Sequence, residues 1–216
     1  MADASAVGGL YAITDTDGHR GNALMSVVRE VLEGGAAVVQ YRDKSSDHGR
    51  RRQEAAALLA LCRQYGALFV VNDDVDLAAA IGAPAVHLGR DDDDPAQARA
   101  RLGSQVVIGV SCYGSLERAD HQAAAGADYL AFGSVFPSPT KPEAVPVPLA
   151  TLTAAAERYR QPVVAIGGIT PDNAGPVVTA GVDAVAVISG VFAAPDPRLA
   201  AARIAGLFHS GTPGGA

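Results

Sequence analysis

Cationic and amide side chains alternate in the segment Gln40-Tyr41-Arg42-Asp43-Lys44. Alternate side chains of an extended strand point to the same face, so Gln40, Arg42 and Lys44 are expected to converge at one strand end. Three hydrogen-bond donors, two of them cationic, suit an anionic ligand. An ion pair between Arg42 and a neighbouring carboxylate is the structural alternative, and this segment alone leaves both interpretations open.

Carboxylates follow two further apolar segments. Asn72-Asp73 ends the first, and His87 to Arg90 leads from the second into four consecutive aspartates at 91–94. Mg²⁺ takes one or two carboxylates and completes its shell with water and phosphate, so Asp73 with one of the four aspartates suffices for a magnesium site. A solvated loop and helix start is the alternative for the acidic run. His87 is interpreted as a hydrogen-bonded core residue rather than a ligand.

Two kinds of segment have features of phosphate sites. A proline-stiffened segment carries Ser138, Thr140 and Lys141, a set of side chains suited to gripping phosphate, although a rigid connection is the alternative. Gly167-Gly168 and Ile188-Ser189 end the last two apolar segments. In α/β barrels these two positions often bind phosphate through backbone N–H groups and helix N-termini.

The elements that must position these residues repeat along the chain. Short apolar, β-branched runs alternate with Ala/Leu-rich stretches of helical spacing, a pattern typical of βα units around a parallel sheet. Eight units without a glycine-rich fingerprint after the first strand predict one (β/α)₈ barrel, with a doubly wound sheet as the alternative. The predicted strands are Leu10–Asp15, Val38–Asp43, Leu68–Asp73, Ala85–Gly89, Val106–Ser111, Tyr129–Ser134, Val163–Gly168 and Ala184–Ser189.

Glycine and proline mark the boundaries of the helices. A capping oxygen precedes a proline at Asp94-Pro95 and at Thr170-Pro171, which predicts a helix start at each. Residues 10–209 are assigned to a single barrel domain, 1–9 to a flexible N-terminus and 210–216 to a disordered Gly/Pro-rich tail. Glycines suited to left-handed helix ends precede several strands, at Gly35, Gly66, Gly82, Gly126 and Gly181.

Charge and composition restrict the classes of partner. The 216-residue chain has a formal net charge of -6, which argues against nucleic acid and anionic membrane surfaces. Two cysteines, Cys62 and Cys112, are too few for a disulfide framework and fit a reducing cytosol. No targeting segment or membrane span is recognised, so a cytoplasmic location is expected. The oligomeric state stays open, a homo-oligomer included.

From Leu10-Tyr11-Ala12-Ile13-Thr14-Asp15 to Asp196-Pro197, the chain resembles the thiamine phosphate synthase family. The family's strand-two Gln-x-Arg-x-Lys, its Asn-Asp and its Thr-x-Thr-Lys loop all have counterparts. The resemblance implies a (β/α)₈ enzyme that joins 4-amino-2-methyl-5-(diphosphooxymethyl)pyrimidine to 4-methyl-5-(2-phosphoethyl)thiazole, or its carboxy form. The products are thiamine phosphate and pyrophosphate, and the cofactor is Mg²⁺.

The resemblance also implies roles for individual residues. Asp73 and Asp92 are the expected metal ligands, the second because it lies five residues past the strand-four histidine. Arg42, Lys44 and Lys141 are the expected catalytic cations around the diphosphate. The remaining pyrimidine contacts are Gln40, Asn72 and Ser111, and the thiazole phosphate contacts are Ser138, Thr140, Gly168, Ile188 and Ser189.

Three positions depart from the family pattern, since many members have Gln at Arg90, His near Tyr113 and Thr at Ser138. None of these changes removes a required group. Two other functions are weighed: a related thiazole tautomerase and a non-catalytic barrel that binds a thiamine precursor. Retention of the diphosphate residues disfavours the tautomerase, and a complete leaving-group apparatus would serve no purpose in a carrier. Release of pyrophosphate that requires Mg²⁺ and both substrates would discriminate the three.

Overall fold

Eight parallel strands close into one barrel in the computed structural model, which describes residues 3–90, 92, 94–137 and 146–209. Each strand pairs with the next in sequence, and the eighth pairs with the first, so the predicted (β/α)₈ barrel is confirmed and the doubly wound sheet is excluded. The strands are β1 (Gly9–Ile13), β2 (Ala36–Tyr41), β3 (Leu68–Asn72), β4 (Ala85–Leu88), β5 (Val107–Tyr113), β6 (Tyr129–Gly133), β7 (Val163–Ile166) and β8 (Ala184–Val187).

Helices cover the outside of the barrel, and several begin or end where the sequence places a cap. Asp94 accepts a hydrogen bond from the Ala96 N–H group, with Pro95 next to it, as predicted. Gly66 and Gly82 end two helices in the left-handed conformation. The helices are α1 (Gly21–Glu33), α2 (His48–Tyr65), α3 (Val75–Ile81), α4 (Pro95–Leu102), α5 (Leu116–Ala124), α6 (Leu149–Arg158), α7 (Ala174–Thr179), α8 (Ser189–Phe192) and α9 (Pro197–His209).

The predicted helix start at Thr170-Pro171 is wrong, because α7 begins at Ala174. The Asn173 side chain explains the difference. Its amide oxygen accepts a hydrogen bond from the Thr170 N–H group at 2.7 Å, and its amide nitrogen donates to the Gly168 carbonyl at 2.9 Å. These side-chain bonds hold residues 171–173 in a turn, which delays the helix by one turn and fixes the backbone after β7.

The core has two layers. Side chains that point outward from the strands pack against the helices, and those that point inward fill the barrel. Tyr11 and Tyr129 are the two largest side chains of the inner layer. Residues 4–6, within the segment expected to be flexible, form a 3₁₀ helix, and Val7 is buried in the inner layer. The inner layer therefore includes part of the chain before β1.

Both cysteines lie in the outer core layer, and burial raises the pKa of each thiol to about 12. Thiolate is the reactive form, so neither cysteine should react in the folded protein at pH 8. We expect a thiol reagent to modify no cysteine before unfolding and both cysteines after unfolding in denaturant, measured by mass spectrometry. Rapid labelling of the native protein would contradict the structural role of these side chains.

Across the described ranges, no helix has the length and apolar character needed to cross a membrane.

Candidate active site

A cavity of about 670 Å³ opens at the carboxyl ends of the strands, where barrel enzymes carry out their chemistry. Side chains and backbone from the ends of the strands and from the following loops line it. The structure brings most of the predicted site residues into this cavity: Gln40, Arg42, Lys44, Asn72, Asp73, Asp92, Ser111, Gly168, Ile188 and Ser189. The predicted contacts Ser138, Thr140 and Lys141 lie outside the described residues.

The alternation at the end of β2 turns its even-numbered side chains into the cavity. Two buried hydroxyls from the loop after β1 fix the backbone at Arg42. Thr14 accepts a hydrogen bond from the Arg42 N–H group at 2.9 Å, and Thr16 donates to the Arg42 carbonyl at 3.1 Å. No carboxylate in the described ranges forms an ion pair with the Arg42 guanidinium. The structural ion pair is therefore not found within these ranges, and the anion-binding role of Arg42 stays a prediction.

The odd-numbered side chains of the same segment face α2 instead. Tyr41 donates to Glu54 at 2.8 Å, and Asp43 pairs with Arg50 at 2.8 Å. Burial works against the charged form of Asp43, but hydrogen bonds from Ser45 and the Arg50 charge hold its pKa below the ordinary value. The buried Tyr41 hydroxyl and the Asp43 carboxylate are therefore paired behind the strand, whereas the buried Arg50 Nη1 group has no hydrogen-bond partner among the described residues.

Two carboxylates approach each other between β3 and β4. Asp73 adopts a left-handed backbone with φ 61°, and its side chain contacts both Lys44 Nζ and the Asn72 amide. Asp92 accepts a hydrogen bond from the Gly89 N–H group at 2.5 Å. Burial raises the pKa of Asp92, and its contact with the Asp73 carboxyl group raises it further. Like charges held together in this way create a place for a cation.

The chemistry of this pair fits a hard divalent metal ion. Carboxylate oxygen is the ligand type that Mg²⁺ prefers, and one or two protein carboxylates suffice where water and phosphate complete the shell. No group of three or more His, Cys, Asp or Glu side chains suited to a metal is found in the described part of the chain. Asp73 and Asp92 are the described residues that would hold such an ion.

A continuous chain of hydrogen bonds crosses the floor of the cavity. Gln40 Nε2 donates to Tyr11 Oη at 2.7 Å, and Tyr11 Oη lies 2.8 Å from Tyr129 Oη. The His87 ring then joins Tyr129 Oη to Ser111 Oγ, with 3.0 Å at each ring nitrogen. Burial lowers the pKa of His87 to about 4, so the ring is neutral at pH 7. His87 is hydrogen-bonded, as the sequence predicts, but it is half-buried and lines the cavity instead of lying in the core.

Sequence reasoning did not assign Tyr11 or Tyr129 to the site. Both phenols are buried, and burial raises the pKa of each, so they are neutral donors and acceptors. A signal for the second was present in the sequence as Gly109. A Cβ atom at that position would lie 1.8 Å from the Tyr129 ring, so only glycine on β5 leaves room for the phenol.

Arg90 and Tyr113, two of the departures from the family pattern, contact each other at the rim. The Arg90 guanidinium lies over the Tyr113 ring, 4.4 Å from its centroid, and both side chains line the cavity. Tyr113 has a left-handed backbone with φ 57°. Arg118 supports this corner by donating to the Ser111 carbonyl at 2.8 Å. The two departures therefore form one cation–π pair at the rim of the cavity.

The loops after β7 and β8 provide backbone donors on the opposite side of the cavity. Gly168 has φ 62°, and no acceptor for its N–H group is found within the described residues. Ser189 begins α8, so its N–H group and that of Gly190 have no partner within the helix. The two loops pack closely, since a Cβ at Gly190 would lie 2.4 Å from the Ile169 carbonyl. Such an array suits a phosphate group.

The fold and site define a (β/α)₈ barrel of the enzyme type, with carboxylates and cations on one side of the cavity and backbone N–H groups on the other. Residues 10–191 match the family described as thiamine monophosphate synthase. The thiamine-phosphate synthase of Thioalkalivibrio sulfidiphilus is 54% identical over 201 residues, covering 93% of this chain and 95% of the relative. That of Chromobacterium violaceum is 55% identical over 202 residues, covering 94% and 97%.

A solved structure gives the same result. The thiamine phosphate pyrophosphorylase from Pyrococcus furiosus superposes with a TM-score of 0.85 at 40% identity, covering 94% of this chain and 96% of that one. The chain belongs to the thiamine monophosphate synthase family. It is therefore a transferase of thiamine biosynthesis.

Proposed function

We propose that this chain condenses the pyrimidine diphosphate with the thiazole phosphate, or its carboxy form, in a reaction that requires Mg²⁺. The observation that carries the proposal is the division of one cavity into two halves. Cations and paired carboxylates line the half at β2 to β4, and unpaired backbone N–H groups line the half at β7 and β8. Two phosphorylated substrates of different charge require such an arrangement.

The diphosphate is assigned to the first half. Arg42 and Lys44 supply positive charge from the end of β2, and Asp73 and Asp92 would hold the metal ion. When bound there, Mg²⁺ would neutralise charge on the phosphate oxygens. Lys44, whose side chain is 61% exposed, contacts Asp73 and can turn toward an anion that approaches from the mouth. Lys141 is proposed as the third catalytic cation on the resemblance alone.

The pyrimidine ring is assigned to the floor of the same half, where Gln40, Asn72 and Ser111 present hydrogen-bonding groups. Only 3% of Gln40 is exposed, so a ring that reaches it leaves bulk water. The thiazole phosphate is assigned to the backbone donors at Gly168, Ile188 and Ser189, together with the Ser189 hydroxyl. Ser138 and Thr140 are proposed as further contacts from the resemblance.

The reaction that fits this arrangement needs no protein nucleophile. The bond from the pyrimidine methylene carbon to the diphosphate oxygen breaks, and its electron pair leaves with pyrophosphate. The thiazole nitrogen then donates its lone pair to the methylene carbon and forms the new carbon–nitrogen bond. With the carboxy form of the thiazole, the carboxyl group also leaves as CO₂. The protein stabilises charge on the leaving group and holds the two rings in line, which are the two largest sources of rate enhancement for such steps.

Pyrophosphate release tests the proposal directly. Purified protein should release pyrophosphate and form thiamine phosphate only with both substrates and Mg²⁺, and chelation by EDTA should abolish turnover until Mg²⁺ is restored. Isomerisation of the thiazole phosphate alone would support the tautomerase. Binding of either precursor without product would support the carrier. The cytoplasmic location and the oligomeric state stay predictions that this assay does not address.

The phosphate-binding half can be tested at Ser189. Replacing it with alanine removes the hydroxyl from an exposed position and leaves the backbone unchanged. We expect the KM for thiazole phosphate to rise about tenfold, the effect of one lost charge-assisted hydrogen bond, with the KM for the pyrimidine diphosphate unchanged. Ser104→Ala, an exposed serine that precedes β5 at the other end of the barrel, is the matched control. Equal weakening of both substrates would refute this assignment.

Gly168→Val is a less selective test of the same half. A Cβ atom at Gly168 would lie 2.5 Å from the Pro137 carbonyl oxygen and 2.8 Å from Phe136, and the left-handed backbone adds strain. The substitution therefore displaces the segment after β6 as well as blocking an anion. Any loss of activity in this variant would combine misfolding with altered binding, so Ser189→Ala is preferred.

A further inference from the structure

We propose that Tyr11, Tyr129 and His87 are positioning residues that fix the hydroxyl proton of Ser111 so that it points into the cavity as a donor to a ring nitrogen of the pyrimidine. We call the five hydrogen-bonded side chains the floor relay; in order, they are Gln40, Tyr11, Tyr129, His87 and Ser111. The inference rests on the proposed role of Gln40 and Ser111 in binding the pyrimidine. It adds three residues to that role, together with a direction for every hydrogen bond among them.

The direction follows from the number of protons available in the floor relay. Gln40 Nε2 donates to Tyr11 Oη, so the single proton of Tyr11 is free to donate to Tyr129 Oη. Tyr129 then donates its own proton to His87 Nδ1. A neutral imidazole carries one proton, which now lies on Nε2 and is donated to Ser111 Oγ. The hydroxyl proton of Ser111 is left for a ligand.

The opposite direction is disfavoured by burial. If Ser111 donated to His87, then His87 would donate to Tyr129 and Tyr129 to Tyr11. The Tyr11 oxygen would accept two hydrogen bonds, and its own proton would have no acceptor. Tyr11 is only 1% exposed, so water does not reach that proton. The cost of an unsatisfied buried donor favours the forward direction by about 5-fold to 150-fold.

The surroundings keep the relay in place. Gly109 leaves room for the Tyr129 ring, and the His87 ring stacks on that ring with 5.6 Å between centroids and 28° between planes. At the other end, Arg118 fixes the Ser111 carbonyl. The two ring nitrogens of the aminopyrimidine accept hydrogen bonds, whereas its amino group donates them. A serine fixed as a donor therefore favours a ring nitrogen over the amino group at this point of the floor.

The tautomer of His87 can be observed without any substrate. A long-range ¹H–¹⁵N spectrum of the labelled protein distinguishes a protonated from an unprotonated ring nitrogen, and the His87 signals are those lost in His87→Gln. We expect Nε2 to be protonated and Nδ1 to be unprotonated, with a second tautomer gaining population in Tyr129→Phe. A ring protonated on Nδ1 in the unmodified protein would overturn the proposal.

Kinetics tests whether the relay acts through Ser111. We expect Tyr129→Phe and Ser111→Ala each to lower kcat/KM for the pyrimidine diphosphate about tenfold and to leave the KM for thiazole phosphate within about twofold. The double variant should lose about tenfold, not a hundredfold, because both changes remove the same hydrogen bond to the substrate. Tyr159→Phe, which removes hydroxyl bonds to Leu116 and Asp120 outside the cavity, is the matched control and should behave as the unmodified protein.

The outcomes separate failure of the relay from failure of the proposed site. Additive losses in the double variant, or equal effects on both substrates, would overturn the relay while leaving Ser111 as a substrate contact. Unchanged pyrimidine kinetics in Ser111→Ala would overturn both the relay and that contact. Thiamine phosphate formation by the unmodified protein stands as a separate measurement in every case.

Discussion

Replacing Asp92 with asparagine is expected to lower turnover by about a hundredfold or more and to shift the Mg²⁺ activation curve to higher concentration. The substitution removes a hard anionic ligand from the cation that faces the diphosphate. Asparagine keeps the side-chain oxygen that accepts from the Gly89 N–H group, so the loop geometry is retained. Asp73→Asn should have a similar effect, and it also removes the ion pair with Lys44.

The Asp92→Asn substitution should lower activity without lowering the stability of the fold. Without a metal ion, Asp92 and Asp73 repel each other, which is part of why the pKa of Asp92 is raised. A neutral side chain at position 92 relieves that repulsion, so the melting temperature of the metal-free Asp92→Asn variant should equal or exceed that of the unmodified protein. A loss of turnover without a fall in melting temperature would distinguish a metal ligand from a residue that only stabilises the fold.

Asp94→Asn is the matched control, two residues further along the same acidic run. Asp94 caps α4 by accepting from the Ala96 N–H group, and asparagine is an equally good cap. Turnover and Mg²⁺ dependence should therefore be nearly unchanged. Titration of activity against Mg²⁺ for the three variants checks the assignment. An impaired Asp94→Asn beside a normal Asp92→Asn would show that the wrong aspartate had been chosen.

The fold was predictable because periodicity and punctuation are local properties of the chain. Alternation in Gln40 to Lys44 correctly indicated which side chains share a face, and Asp94-Pro95 correctly indicated a helix start. Thr170-Pro171 has the same signature, but Asn173 forms competing hydrogen bonds to the backbone. Local signals fail where a side chain a few residues away offers the backbone another partner.

The floor of the cavity was not predictable from the sequence. Tyr11, Tyr129 and His87 lie on β1, β6 and β4, and their hydrogen bonds depend on the register of a closed barrel. Buried tyrosine and histidine also occur in ordinary cores, so residue type alone gives no signal. The contact between Arg90 and Tyr113 could not be predicted either, because two departures from a family pattern give no sign that the two residues touch.

Arg42→Ala is expected to reduce turnover about a hundredfold, the scale observed when one preorganised group that stabilises a transition state is lost. Its guanidinium has no carboxylate partner in the described ranges, while Thr14 and Thr16 hold its backbone at the cavity. The two threonine hydroxyls bind only the N–H and carbonyl groups of Arg42, so these bonds survive the substitution. The expected loss is therefore one of charge at the leaving diphosphate, with little change in melting temperature.

Two further variants make the interpretation of Arg42 specific. Arg42→Lys should recover only part of the turnover, because a single ammonium replaces a planar fork that can bind two phosphate oxygens. Arg52→Ala removes the same charge from an exposed position on α2 and should leave turnover unchanged. Steady-state rates of pyrophosphate release, together with the inhibition constant of added pyrophosphate, check all three. If Arg42→Ala and Arg52→Ala lose activity equally, only the net charge of the protein matters, and Arg42 has no direct contact with the leaving group.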